Sequence, residues 1–128
     1  MSDAKTLLVG VSDIFFYTKI RDAFLPQGYA LQRVKNQDDW STKLQSLQPH
    51  AVILNMNDER LDAPSALRLL KETEAYSHIP VLAFANHEEV ETWKRAKEMG
   101  INKIVSRNEF SARTLALLEE LTVNSTSS

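Results

Sequence analysis

Five short apolar runs, each followed by a segment with helical apolar spacing, limit what this chain can fold into. The clearest run is Ala51-Val52-Ile53-Leu54-Asn55-Met56, with Pro49-His50 in front and Asn57-Asp58-Glu59-Arg60 behind. Its apolar part has no polar face. A strand of that kind is buried on both sides, as in a parallel sheet covered by helices. Open sheets of this type carry their chemistry at the carboxyl ends of the strands. The residue at that end is Asn55, an amide.

The remaining elements follow in order. Lys5 to Val11 is a first buried strand, and Ser12 or Asp13 then caps a helix carrying Ile14, Tyr17, Ile20, Ala23 and Phe24. Pro26-Gln27-Gly28 ends it. Tyr29 to Val34 alternates weakly and is expected at a sheet edge. Asn36 to Leu47 is a second helix, with Trp40, Leu44 and Leu47 inward and Asp38 and Asp39 in its first turn, where the helix dipole favours anions. Asp62 caps a third helix, with Pro64 in its first turn and Ala66, Leu67, Leu69, Leu70 and Thr73 along it. Ile79 to Ala85 is a fourth strand. Asn86-His87 is expected to start a fourth helix bearing Val90, Trp93, Ala96, Lys97 and Met99, stopped by Gly100. Lys103 to Ser106 is a fifth strand. Asn108 is expected to cap a fifth helix carrying Phe110, Leu115, Leu117, Leu118 and Leu121.

Five strands alternating with five helices predict an α/β fold: a doubly wound, five-stranded parallel sheet of order 2-1-3-4-5, the flavodoxin-like (βα)5 arrangement. One domain is expected over residues 1–122, followed by a flexible polar tail over 123–128.

Several function classes drop out. Without cysteine there is no disulfide, thiol catalysis or thiolate metal site. The net charge is -2 with both signs interspersed, and no block of Lys or Arg suggests nucleic-acid binding. No apolar run is long enough to span a bilayer, and Met1 to Lys5 carries no secretory signal, so a cytoplasmic location is expected. His50, His78 and His87 sit at element boundaries without metal-ligand spacing. Ser12 after Gly10-Val11 offers too few exposed amides for a phosphate-cradling loop.

The pattern from Lys5 to Leu121 resembles the response-regulator receiver domain, the CheY-like family. Pro49 to Asn55 resembles the family's third strand, which normally ends in the phospho-accepting Asp. Ile79-Pro80-Val81-Leu82-Ala83 resembles the fourth strand, and Met99-Gly100-Ile101-Asn102-Lys103-Ile104 the entry to the fifth. Asp62 stands where the family has the Asp of its Met-Asp-Gly loop.

The resemblance implies phosphotransfer chemistry, and the residues that would carry it differ. The acceptor position is Asn55, and a neutral amide does not form an acyl phosphate. The acidic-pair positions align with Gly10 and Val11, although a slipped register brings Asp13 near the site. Such a set does not supply the oxygen ligands that Mg²⁺ requires. The Thr/Ser position is Ala85, the Lys position Arg107 and the aromatic-switch position Ile104, while Glu59 replaces the Pro after the acceptor. The chain thus resembles a degenerate, pseudo-receiver branch. The implied function is two-component (phosphorelay) signalling by protein–protein contact, independent of phosphorylation, with no catalytic residue, no metal and no cofactor. Family carry-over places the contact on the helix 4–strand 5–helix 5 face, with a second copy of the chain among the candidate partners. Trp93 and Trp40 are the candidate anchors on helices, with core packing the commoner role for either. Two alternatives stand: a phospho-accepting receiver using Asp58 or Asp13, and a small-molecule binder at the strand ends.

Overall fold

The computed structural model describes residues 5–47, 49–58 and 60–126, without the side chains of 47 and 121–126. Strands β1 (Lys5–Gly10), β2 (Tyr29–Arg33), β3 (Ala51–Asn55), β4 (Val81–Ala85) and β5 (Lys103–Ser106) form one sheet. All pairs are parallel, and the order is β2-β1-β3-β4-β5, as expected. The helices are α1 (Ile14–Phe24), α2 (Gln37–Leu47), α3 (Ala63–Glu72), α4 (Val90–Glu98), α5 (Arg107–Ala112) and α6 (Thr114–Thr126).

Strand periodicity divides the core in two, because successive side chains leave opposite faces of the sheet. Leu8, Val52, Leu54, Val81 and Ala83 face α2, α3 and α4, where they meet Trp40, Leu44, Leu67, Leu70 and Ala96. Leu7, Val9, Ile53, Leu82 and Phe84 face the other way, against Phe16, Ile20 and Phe24 of α1, Phe110 of α5, and Leu117 and Leu118 of α6. Every residue of β3 and β4 is buried. Burying each large aliphatic or aromatic side chain stabilises the fold by about 1.5–3 kcal/mol before entropy is counted. At the sheet edge, β2 shows the weak alternation of its sequence. Trp40 is fully buried and therefore a core residue.

Several boundaries differ from expectation, and β4 begins at Val81, two residues later than Ile79. Helix α4 starts at Val90, not at Asn86-His87. The Asn86 N–H is taken by Asn57 Oδ1, and its carbonyl accepts from Glu89 N–H and Trp93 Nε1, so 86–89 is held as a turn. The cap after β5 is Ser106, whose Oγ accepts Glu109 N–H at 3.0 Å, and Asn108 lies within α5. The expected single fifth helix is two helices, broken at Arg113 (φ −130°, ψ 33°). There the Thr114 hydroxyl donates to Phe110 O at 2.7 Å, a side-chain bond that competes with the helical ladder. Helix α6 runs on to Thr126, into the segment read as a tail, and Ser127 and Ser128 lie outside the described residues. The Leu47 and Leu121 side chains and Glu59 also lie outside them.

Candidate functional site at the strand ends

The parallel register brings the carboxyl ends of four strands side by side. Gly10 stands opposite Leu54, Asn55 opposite Phe84, and Ala85 opposite Ser106. Asn55 is 7% exposed and is the one buried polar side chain among the described residues. A buried amide must find partners. Asn55 Oδ1 accepts Asn57 N–H at 2.9 Å, closing a tight turn at the end of β3.

That turn aims Asn57 across to the next loop. Asn57 Nδ2 donates to Glu89 Oε1 at 2.8 Å, and Asn57 Oδ1 accepts Asn86 N–H at 2.8 Å. Thr92 Oγ1 adds a bond to Glu89 Oε1 at 3.2 Å. Amides and a glutamate therefore stitch the loop after β3 to the loop after β4.

Hydrocarbon fills the space around positions 10 and 11. Val11 is fully buried, and Leu61 is 2% exposed. A Cβ on Gly10 would lie 2.7 Å from Leu54 Cδ1 and 2.9 Å from Leu61 Cδ2. Both distances are shorter than real contacts, so no side chain enters there unless the two leucines shift. A carboxylate in that space would meet methyl groups.

The nearest acids serve the backbone. Asp58 Oδ2 accepts Ser12 N–H at 2.7 Å, while Asp58 Oδ1 accepts Arg60 N–H at 2.9 Å and Leu61 N–H at 3.0 Å. This clasp joins the loops after β1 and β3. Asp13 is the expected cap of α1, its Oδ1 accepting from Phe15 N–H and Phe16 N–H at 2.9 and 3.3 Å. Asp62 likewise caps α3 through Ser65 N–H, at 3.3 Å. Among the described residues, no three His, Asp or Glu side chains gather to hold a cation. The donor set at Gly10, Val11 and Asn55 does not fit Mg²⁺, which needs several hard oxygen ligands in a near-octahedral array.

Arg107 rests on an aromatic ring. Its guanidinium carbon sits 4.4 Å above the Phe16 ring, part of an aromatic group in which Phe84 and Phe110 stack at 4.5 Å. Arg107 Nη2 reaches Asp13 Oδ2 at 4.0 Å, with both side chains about half exposed. Such a pair contributes under about 1 kcal/mol. Among the described residues Arg107 makes this ion pair and none to Asp58. Ala85 is buried, and Ile104 is half-buried against the α2–α4 face.

The Asn57–Asn86–Glu89 stitch, the Asp58 clasp and the Leu61 filling carry no periodic signal. Their long-range bonds join residues 29 or more positions apart. An Asn two places after a strand end and an Asp in the following turn are the local hints, since both favour side-chain-to-backbone turns.

No protein-family model matches the chain, and no curated protein matches it in sequence. Its fold is shared with solved structures of receiver domains. The signal receiver domain of a signal transduction histidine kinase from Syntrophus aciditrophicus superposes with a TM-score of 0.85 at 16% identity, covering 98% of this chain and 95% of that one. The receiver domain of an HD domain-containing protein from Pseudomonas fluorescens Pf-5 gives 0.85 at 16% identity, over 98% and 99%. The chemotaxis response regulator CheY4 of Vibrio cholerae gives 0.81 at 14% identity, over 92% and 98%. At these identities the likeness establishes the fold.

Proposed function

We propose that this chain is a receiver-like module of two-component signal transduction that acts without phosphorylation, by protein–protein contact, and is not an enzyme. One observation carries the reading. The space where an acidic side chain would project from position 10 is filled by Leu54 and Leu61, next to an amide at position 55. Phosphoryl transfer to a carboxylate needs a free oxygen nucleophile and a cation to neutralise developing charge. Here Asp58, the acid in the following loop, already accepts three backbone N–H bonds.

The contact surface in this reading is the face of α4, β5 and α5. It presents Val90, which is 68% exposed, and half-buried Trp93 with Lys97 Nζ 6.0 Å from its ring centroid. Ala85 lacks a hydroxyl and Ile104 lacks an aromatic ring, so a switch built on that pair is missing and the face keeps one state. The module works inside the cytoplasm in this reading.

Incubation with a small phosphodonor and Mg²⁺, followed by intact mass, tests the central point. The mass should not change. A phosphoryl group that appears on the wild type and is lost in Asp58→Ala or Asp13→Ala would establish the opposite. For the surface, Val90→Lys should abolish retention of the partner protein captured from lysate by the wild type.

A further inference from the structure

We infer that the cleft at the carboxyl ends of β1 and β2 binds a phosphate-bearing small molecule with two or more negative charges, of the pyrophosphate or nucleoside diphosphate class. The cleft has a volume of about 620 Å³ and is lined by Ser12, Ile14, Arg33, Lys35, Asn36 and Arg60. Three of these six residues are cations and none is an acid. On a chain of net charge -2, such a concentration in one concavity raises the local concentration of anions. The volume is within the range of small-molecule sites, about 300–1,000 Å³.

Arg33 is held ready. Its Nη1 donates to Ser12 O at 2.8 Å, and its guanidinium carbon lies 6.0 Å from the Tyr17 ring centroid. Its own carbonyl accepts Lys43 Nζ at 2.6 Å. A guanidinium has five N–H donors. One is spent on Ser12, and no hydrogen bond or ion pair among the described residues engages the others. A planar donor fork fixed in advance loses little entropy on gripping phosphate oxygens.

The described carboxylates near the cleft bond elsewhere, although Asp39 still attracts the Lys35 ammonium. Asp58 is taken by three backbone N–H groups, and Asp62 by Ser65 N–H and Oγ. Asp39 accepts from Lys35 N–H at 3.1 Å and pairs with Lys43 Nζ at 3.2 Å. No ion pair to Arg33, Lys35 or Arg60 forms among the described residues. Asp38 and Asp39 line the neighbouring concavity beside Lys35 and Asn36, which argues against an extended polyanion such as RNA, whose next phosphates would meet them. Ile14, 48% exposed, supplies an apolar wall for the uncharged part of a nucleotide. Recognition here is by side-chain cations, not by the loop amides that the sequence around Ser12 lacks. The inference stands apart from the phosphorylation-independent reading, because the cleft does not include Asn55.

Isothermal titration of the intact chain with pyrophosphate, with ADP and with sulfate at matched ionic strength tests it. Saturable single-site binding of pyrophosphate or ADP, above sulfate, is expected. Tighter ADP than pyrophosphate assigns a nucleotide, and equal affinities assign the diphosphate group alone. Lys35→Gln and Arg60→Gln, both exposed side chains whose loss spares the core, should each weaken binding about tenfold, as for one charged hydrogen-bond partner. Lys94→Gln, outside the cleft, should change nothing. Absence of saturable binding, equal binding of sulfate, or binding unmoved by Lys35→Gln and Arg60→Gln together overturns the inference.

Discussion

Replacing Asp58 by Ala should destabilise the fold by about 3 kcal/mol, although the residue is outside the core. The magnitude follows from the three N–H groups that lose their acceptor. Those of Ser12 and Leu61 are partly buried, so water replaces the carboxylate poorly; Arg60 N–H is exposed and rehydrates. Hydrogen bonds to a charged partner contribute about 1.5–3 kcal/mol each, and partial exposure argues for the lower end. Two such bonds give about 3 kcal/mol, and the third close to nothing. Asp58→Asn keeps one oxygen for Leu61 and Arg60 and loses the Ser12 bond, so it should cost about half as much. Equilibrium urea unfolding reads the difference as a drop in midpoint of about 1.5 M for the alanine variant, at unchanged slope. If Asp58→Ala falls within about 0.5 kcal/mol of wild type, the clasp is a surface contact and the reasoning fails. A normal loss in Ala with an equal loss in Asn would place the effect in charge, not in the geometry of acceptance.

Four further outcomes are expected. Gly10→Ala should cost about 1–3 kcal/mol in urea unfolding, because its Cβ meets the Leu54 and Leu61 methyls, and Leu61→Ala in the same chain should recover part of the strain. Asn55→Asp buries a carboxylate among apolar strands, so its deficit in thermal stability should be largest at neutral pH and shrink as the pH falls and the acid is neutralised. Trp40→Phe should cost less than about 1.5 kcal/mol by chemical denaturation, since the buried Nε1 has no hydrogen-bond partner among the described residues to lose, whereas Trp40→Ala should cost about 3–5 kcal/mol. Burial opposes ionisation of Asp39, but the Lys35 N–H and the Lys43 ammonium outweigh it and hold the carboxyl below its ordinary value of 3.8. A lowered folded pKa contributes stability above the unfolded value that is lost as the pH falls through the folded one. The stability gap between wild type and Asp39→Asn, measured by urea midpoint, should therefore close between neutrality and strongly acid pH.

Much of the architecture was legible residue by residue. The apolar runs at Leu7 to Val9, Val52 to Leu54 and Val81 to Phe84 mark buried strands, because only a sheet covered on both faces satisfies them. Asp13 and Asp62 announce their helices, since a carboxylate before an apolar stripe has free N–H groups to accept from. The absence of acids at 10, 11 and 55 is also plain in the chain. Local chemistry decides all of these, over a few residues at a time. The tertiary structure decided what fills and links the strand ends. Leu61 closes over Gly10, Asp58 clasps Ser12, Asn57 reaches Asn86 and Glu89, and Arg107 rests on Phe16. It also delayed α4 to Val90 and gathered Arg33, Lys35 and Arg60 around one cleft. Each of these contacts joins segments that are distant in the chain and meet because parallel strands deliver their ends to one edge. A periodic pattern specifies which face of an element is buried, but not which loop residues then come within hydrogen-bonding reach of one another.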